Sequence, residues 1–291
     1  MPIETTSPHD VHEHLPEFER RYRKLYTAEA IQYDRVRFDH SRGQSFNSRE
    51  QTTIERLLGL DPGQSVVDVA AGTGRIAAYL ASRGLNVTAV DLTPNMLQQA
   101  QNRAATSGLD NIRFVEANGR MLPFADGSFD AVMSIRFLHL FPAAMHRPFV
   151  QEMWRVLRPG GTLLIQFDSA LAGVIVPLLQ EPYRRLVRGH KPRYYLSPHQ
   201  LGQVFAGIDG ISLHGFSPVG GGTLRALHPG MAAKVEQFVA QGWPSFLAYR
   251  VFVRAVKPAV VAEQGDSDSF LTAELALEVL TWRSSEWRRE Y

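Results

Sequence analysis

The sequence predicts an α/β protein with a doubly wound, mostly parallel sheet. From Ser65 onward, short apolar runs alternate with helical patterns, which is typical of successive strand–helix–strand units. At roughly 150 residues per domain, 291 residues allow two units or one domain with an insertion. The longest apolar stretch, 170–179, has only about ten residues and includes Pro177, so we expect no membrane-spanning helix.

Residues 1–60 are predicted to form N-terminal helices that cover an active site. Apolar side chains recur at helical spacing over 10–30, and a polar, Arg-rich segment follows as far as Asn47. A second helix is predicted over 48–58, with Ser48 as its N-cap and Gly59 at its end. The first twenty residues carry acids and no long apolar run, which predicts a cytoplasmic protein without a targeting segment.

Residues 61–169 are predicted to form a cofactor-binding core with five strands. Helices are expected between them, ending near residue 81 and covering 94–106 and 145–157. Each strand is a short apolar run bounded by turn residues. The five runs are SVVDVA, NVTAVD, IRFVEA, FDAVMSI and GTLLIQFD.

The remaining chain is predicted to complete the sheet and to add a cap. A helical cap insertion is expected over 170–207, with one helix at 170–190 and another at 197–206 that starts from Ser197. Residues 208–258 carry two further strands, 211–217 and 248–256, and a helix at 230–241. The sheet is therefore predicted to have seven strands. A polar linker and an amphipathic helix at 269–289 form the last segment, 259–291.

Composition excludes several classes of function. Lys and Arg number 31 against 29 Asp and Glu, and a net charge of +2 does not favour a nucleic-acid partner. The absence of cysteine excludes thiolate metal sites and cysteine nucleophiles. His9, His12 and His14 lack acidic residues in helical register, so we expect no metal site.

A glycine loop follows the first predicted core strand, in Asp68-Val-Ala-Ala-Gly72-Thr-Gly74. Such a loop lets the backbone approach a ligand closely, although many glycine loops are only tight turns. Asp91 ends the next strand, where a carboxylate can accept both ribose hydroxyls of a nucleoside. Asp68 would repel a diphosphate but suits an ammonium or sulfonium group. S-adenosylmethionine is therefore the predicted cofactor. The rival interpretation is that the loop binds a nicotinamide cofactor and that the protein is an oxidoreductase.

Four motifs in order carry a resemblance to a known family. VVDVAAGTG, AVDLTPNML, ANGRMLPFADGSFDAVMS and EMWRVLRPGGTLLI lie within residues 33–168. Together they resemble the class I S-adenosylmethionine-dependent methyltransferases, in the group of ubiquinone, menaquinone and natural-product methyltransferases. The resemblance implies a Rossmann-like fold. By position it implies these cofactor-binding residues: Asp68, Ala70, Gly72, Gly74, Asp91, Leu92, Met96, Asn118, Gly119, Arg136, Tyr33 and Arg37.

The sequence departs from the family pattern at two places. Ala70 and Ala71 replace a usual Gly and a frequent Cys, and we expect the loop to keep Ala at negative φ. Asn118 replaces the usual Asp, and its side-chain oxygen is expected to accept a weaker hydrogen bond from the adenine amino group. These departures motivate another hypothesis, in which the protein keeps the cofactor for a regulatory, structural or non-methylating role.

The acceptor is predicted to be a small, hydrophobic or aromatic molecule of secondary metabolism. The residues after the fourth core strand, Ser-Ile-Arg-Phe, do not match the motif that holds a flipped base. His139 follows this strand and is the first candidate base, with a plain helix cap as the alternative. Tyr22 and Tyr33 are the other catalytic candidates. The predicted acceptor-binding residues, for which simple packing is the alternative, are Tyr26, His139, Tyr194 and Tyr195.

The oligomeric state is left open by the sequence. The C-terminal helix at 269–289 is amphipathic and lies beyond the last predicted strand. It either packs on its own domain or joins two copies of the chain as a homodimer.

Overall fold

The computed structural model describes residues 2–5, 16–168, 194–218, 230 and 248–259. The predicted helices at 170–190 and 269–289 and the C-terminal linker lie outside these residues, as does the helix at 230–241 apart from residue 230. The chain divides into two compact units. The first comprises residues 1–135, 148–165 and 254–259, and the second comprises 136–147, 166–253 and 260–291.

The described strands form one eight-stranded sheet in the order β1-β4-β3-β2-β5-β6-β8-β7. Five neighbouring pairs, from β1–β4 to β5–β6, are parallel, which confirms the predicted α/β architecture with a mostly parallel sheet. The strands are β1 Ile3–Thr5, β2 Ser65–Val69, β3 Asn86–Asp91, β4 Ile112–Glu116, β5 Phe129–Ser134, β6 Leu157–Asp168, β7 Ser212–Pro218 and β8 Ala248–Val256.

The prediction of seven strands is wrong, because the sheet has an additional edge strand, β1. It pairs in parallel with β4, with Ile3 opposite Phe114. Nε of Arg113 donates a hydrogen bond to Oε1 of Glu4 across this pair, at 2.7 Å. Three residues are too few to show the alternation by which a strand is recognised in a sequence. Strand β1 therefore forms because it pairs with β4, and not because its own sequence shows a strand pattern.

The N-terminal segment forms the helices α1 Glu17–Glu29, α2 Tyr33–Arg37 and α3 Ser41–Leu58. The prediction that Ser48 caps the third of these is wrong. Nδ1 of His40 accepts a hydrogen bond from the backbone N–H of Gly43 at 2.9 Å, so the helix begins at residue 41. Ser48 lies inside it and donates to the carbonyl of Gln44. Histidine is not among the usual cap residues, which is why the earlier start left no sequence signal.

The core of the first unit lies around the central strands. Residues 66–69 of β2 and 87–91 of β3 are buried in succession, as expected for parallel strands that are covered on both faces. The remaining helices are α4 Arg75–Ser82, α5 Pro94–Thr106, α6 His146–Val156 and α7 Pro198–Val204. The predicted cap at Ser197 is confirmed, because its side chain and that of Gln200 form a capping box. None of the described helices meets the length and hydropathy required to cross a bilayer.

Candidate active site

The glycine loop leaves β2 through residues with positive φ. Gly72 and Gly74 have φ of 57° and 68°, which glycine adopts without strain. Ala70 has φ of 64°, so the expectation that alanine stays at negative φ here is wrong. The loop geometry is imposed by β2 on one side and α4 on the other, and alanine accepts a left-handed conformation at a cost of about 1–2 kcal/mol. Strain of this kind is concentrated at functional sites.

Two of the predicted cofactor-binding glycines are also required by packing. A Cβ atom on Gly74 would lie 2.6 Å from Cβ of Ala100 in α5. A Cβ atom on Gly119 would lie 2.9 Å from Cγ1 of Val69. A Cβ atom on Gly72, in contrast, would meet no heavy atom within 4 Å. The turn, and not close packing, therefore accounts for the glycine at position 72. The volume that a side chain would occupy there is open.

Asp91 lies at the end of β3, beside the glycine loop. Its Oδ2 accepts a hydrogen bond from the backbone N–H of Gly72 at 2.8 Å, and its Oδ1 accepts one from Thr93 at 2.9 Å. The residue is buried, and burial raises the pKa of its carboxyl to about 6 although these hydrogen bonds oppose the change. Each oxygen has a second lone pair, so the carboxylate can still accept two hydroxyl groups.

Asp68 is a second buried carboxylate, on β2 next to β3. Burial raises its pKa to about 7, the charge of Arg75 lowers it, and the charge of Asp91 raises it further. No described residue donates a hydrogen bond to this carboxylate, and the guanidinium of Arg75 is paired with Glu50. A cationic group of a ligand would relieve the cost of burying this charge.

The N-terminal helices are tied to the glycine loop by Asp34 of α2. Its Oδ1 accepts a hydrogen bond from Oγ1 of Thr73 at 2.8 Å, and its Oδ2 pairs with Arg103 of α5. Nε of Arg103 also donates to the backbone carbonyl of Thr73 at 3.0 Å. The segment that follows α1 is therefore fixed directly to the loop between the two glycines.

The sequence-predicted tyrosines of the N-terminal helices form one aromatic cluster. The ring centroids of Tyr22 and Tyr26 are 4.5 Å apart, and those of Tyr26 and Tyr33 are 6.0 Å apart. The Arg37 guanidinium lies over the Tyr33 ring, 4.0 Å from its centroid. Burial raises the pKa of Tyr26 to about 12 and also raises that of Tyr22, to which the charge of Asp91 contributes. Tyr22 is therefore the member of the cluster on which the charge of Asp91 acts.

Asn118 follows β4 and is engaged by a residue that sequence reasoning missed. Its Nδ2 donates a hydrogen bond to Oε2 of Glu19 in α1 at 2.9 Å, and its Oδ1 accepts one from the backbone N–H of Arg120 at 3.0 Å. Glu19 is buried, and its Oε1 lies 2.7 Å from Nε of Arg120. A glutamate in an amphipathic helix is usually exposed, so nothing in the sequence singled it out.

The other predicted residues complete the description of the first unit. Leu92 is partly exposed and Met96 is buried in the first turn of α5. Within the described residues, no group of three or more acidic or histidine side chains could hold a metal ion. His9, His12 and His14 lie outside the described residues.

The second unit holds Arg136, His139, Tyr194 and Tyr195. Arg136 has φ of 62°, a second left-handed residue other than glycine. His139 is buried in a short 3-10 helix, and its carbonyl accepts a hydrogen bond from the backbone N–H of Tyr194 at 2.8 Å. The structure thus brings together two of the residues that were predicted to bind the acceptor. Tyr195 is partly exposed beside them.

Comparison with known proteins identifies the family of this chain. A family model described as a methyltransferase domain matches residues 67–165. A demethylmenaquinone methyltransferase of Beutenbergia cavernae is 32% identical over 211 residues, which cover 67% of this chain and 79% of that protein. The chain belongs to the class I S-adenosylmethionine-dependent methyltransferase family. Uncharacterized proteins of Mycobacterium tuberculosis are 46% identical over 105 residues, and this match spans only 37% of their length.

Solved structures show the same fold for this methyltransferase-family protein. A Haemonchus contortus phosphoethanolamine N-methyltransferase in complex with S-adenosyl-L-methionine has a TM-score of 0.58 and 22% identity, covering 84% of this chain and 60% of that one. The [4+2]-cyclase SpnF has a TM-score of 0.57 and 20% identity, covering 84% and 98%. Because a methyltransferase and a cyclase share this fold, the reaction has to be argued from the site.

Proposed function

We propose that this protein transfers the methyl group of S-adenosylmethionine to a small, hydrophobic or aromatic acceptor. The observation that carries the proposal is the pair of buried carboxylates, Asp68 and Asp91, on neighbouring strands beside the glycine loop. One suits an ammonium group and the other suits ribose hydroxyls. A dinucleotide offers two hydroxyl pairs but places a diphosphate at such a loop, where Asp68 would repel it.

The residues present fit this cofactor. Asp68 is a buried carboxylate whose pKa is raised to about 7 and which takes no hydrogen bond from the described residues, so a ligand ammonium would stabilise its charged form. Gly72 leaves open space where a side chain would otherwise project. When bound, the cofactor supplies an electrophilic methyl carbon on a sulfonium. The chain's own task is then to hold the acceptor in line with that carbon and to exclude water.

The aromatic cluster on the N-terminal helices supports an aromatic acceptor. The rings of Tyr22, Tyr26 and Tyr33 lie against one another, and the Arg37 guanidinium over Tyr33 would favour an acceptor that carries or develops negative charge. In the transfer, a lone pair of the acceptor forms the bond to the methyl carbon while the carbon–sulfur bond breaks toward sulfur. For a protonated acceptor, we assign the departing proton to the imidazole of His139.

The experiment is a calorimetric titration of the full chain with S-adenosylhomocysteine, with NAD(H) as the control ligand. We expect binding of the first alone. Asp91→Ala should remove most of this affinity, whereas His139→Ala should preserve affinity and lower turnover in a mass-spectrometric screen for acceptors that gain one methyl group. Equal loss of affinity in both variants would refute this division of roles.

A non-methylating use of the same cofactor is the second candidate function. It is favoured by Ala70, which holds a strained left-handed conformation, and by Asn118, whose side-chain oxygen is already bonded to Arg120. The screen separates the two candidates, because tight binding of S-adenosylhomocysteine without methylation of any acceptor would support the second.

A further inference from the structure

Three neighbouring strands end at the proposed cofactor site. Strand β2 leads into the glycine loop, β3 ends at Asp91, and β4 is followed by Asn118. The last two strands are parallel neighbours, and the N–H of Ala117 donates to the carbonyl of Asp91 at 3.2 Å. A nucleoside with its ribose at Asp91 and its amino-acid end at β2 therefore has its base near the end of β4. This inference rests on the proposed function.

The amide of Asn118 is poorly arranged to receive an amino group. Its oxygen accepts from the backbone N–H of Arg120 at 3.0 Å, and its nitrogen donates to Oε2 of Glu19 at 2.9 Å. The exocyclic amino group of adenine is a donor and requires an acceptor. The amide directs its own donor toward α1, where the carboxylate of Glu19 lies.

The carboxylate of Glu19 provides the hydrogen-bond acceptor that the exocyclic amino group of adenine requires. The residue is 2% exposed, and its Oε1 lies 2.7 Å from Nε of Arg120. The N–H direction of Arg120 is unsuitable, however, so neither of these two atoms forms a hydrogen bond within the described part of the chain. A buried carboxylate oxygen with an ion-pair partner but no hydrogen bond is uncommon, because the lost hydration is not replaced. A ligand donor would satisfy it.

We propose that Glu19 accepts the hydrogen bond from the exocyclic amino group of the cofactor's adenine. The hydrogen-bond acceptor for adenine would then lie on helix α1 rather than on the loop after β4, which contains Asn118. Arg120 forms an ion pair with Oε1 of this carboxylate, and Asn118 orients it through Oε2. Selection of adenine over other bases therefore depends on the docking of the N-terminal helix.

The test compares two ligands that differ at this edge of the base. S-Adenosylhomocysteine carries the exocyclic amino group beside an unprotonated ring nitrogen, whereas S-inosylhomocysteine carries an oxygen in place of the amino group and a proton on that nitrogen. We expect the full chain to prefer the first by about tenfold or more, in the range for hydrogen bonds to charged groups. Glu19→Gln should lower affinity for S-adenosylhomocysteine by about tenfold and leave that for the inosyl analogue equal or higher, because the new amide can donate to oxygen.

Two further variants make the result specific. Glu17→Gln changes an exposed glutamate of the same helix and should leave both affinities as they are. The double variant Glu19→Gln with Asn118→Asp exchanges the amide and the carboxylate across one hydrogen bond, and it should recover the preference for the amino ligand. That recovery would show that a carboxylate at this place selects the base.

Three outcomes would overturn the inference. Equal loss of both affinities in Glu19→Gln would show that the residue only fastens α1. Equal binding of the two ligands by the unchanged protein would overturn the inference alone, whereas failure to bind either would overturn the proposed function as well.

Discussion

Cofactor affinity should depend on pH through Asp68. Its carboxyl has a pKa of about 7 because burial opposes its charge, and we assign to it the ammonium group of the bound cofactor. Only the ionised carboxylate can hold that ammonium group, so binding must release a proton wherever the free carboxyl is protonated. The affinity for S-adenosylhomocysteine is therefore expected to rise as the pH rises through 7.

The magnitude follows from the pKa. With a pKa of about 7, the ionised fraction of Asp68 falls from about ten elevenths at pH 8 to about one eleventh at pH 6. Affinity should therefore fall about tenfold between these two pH values from this residue alone. Asp91, with a pKa of about 6, adds about a further factor of two by pH 6 if its charged form is the one that binds.

The stability of the ligand-free protein should change in the opposite direction. The pKa of Asp68 in the folded chain lies above its ordinary value of 3.8, so the folded chain binds more protons than the unfolded chain between about pH 4 and 7. The free energy of unfolding is then highest at the acid end of this window. It falls as the pH rises, by at most about 1.4 kcal/mol per pH unit and per group, and levels off above pH 7.

Isothermal titration calorimetry between pH 6 and 8, in buffers of different ionisation enthalpy, measures both the affinity and the protons released. Asp68→Asn should bind S-adenosylhomocysteine about tenfold more weakly at pH 8 and lose most of the pH dependence. Asp110→Asn, at an exposed position, is the matched control and should behave like the unchanged protein. An affinity that is flat over this range, or the same pH profile in Asp68→Asn, would refute the reasoning.

Three further predictions concern the glycine loop. Ala70→Gly should raise the free energy of unfolding by about 1 kcal/mol in chemical denaturation, because glycine removes the left-handed strain; a decrease would contradict that strain. Gly74→Ala should be several-fold more destabilising than Gly72→Ala, because only the first variant adds a clash to the unfavourable φ; equal losses would argue against the close contact. Asp34→Ala should weaken S-adenosylhomocysteine binding more than Asp34→Asn, which keeps the acceptor for Thr73; equal effects would show that the ion pair with Arg103 dominates.

The sequence by itself determined the architecture and the location of the cofactor site. Apolar runs of six to eight residues separated by amphipathic helices carry enough pattern to predict β2 to β6, and burial on both faces makes that pattern strong. The glycine loop and Asp91 were identifiable because both follow directly from the ends of such strands. Local periodicity and turn chemistry are properties of neighbouring residues, so they can be recognised from the sequence without knowledge of the fold.

Only the tertiary structure decided what depends on residues far apart in the chain. Strand β1 exists because β4 offers it an edge, and Ala70 is left-handed because the flanking elements impose that turn. Glu19 meets Asn118 across 99 positions of sequence, in a contact that the pattern of α1 does not encode. The raised pKa of Asp68 likewise arises from the burial of β2. Burial and long-range contacts are set by how the elements pack, and this is why the sequence alone could not supply them.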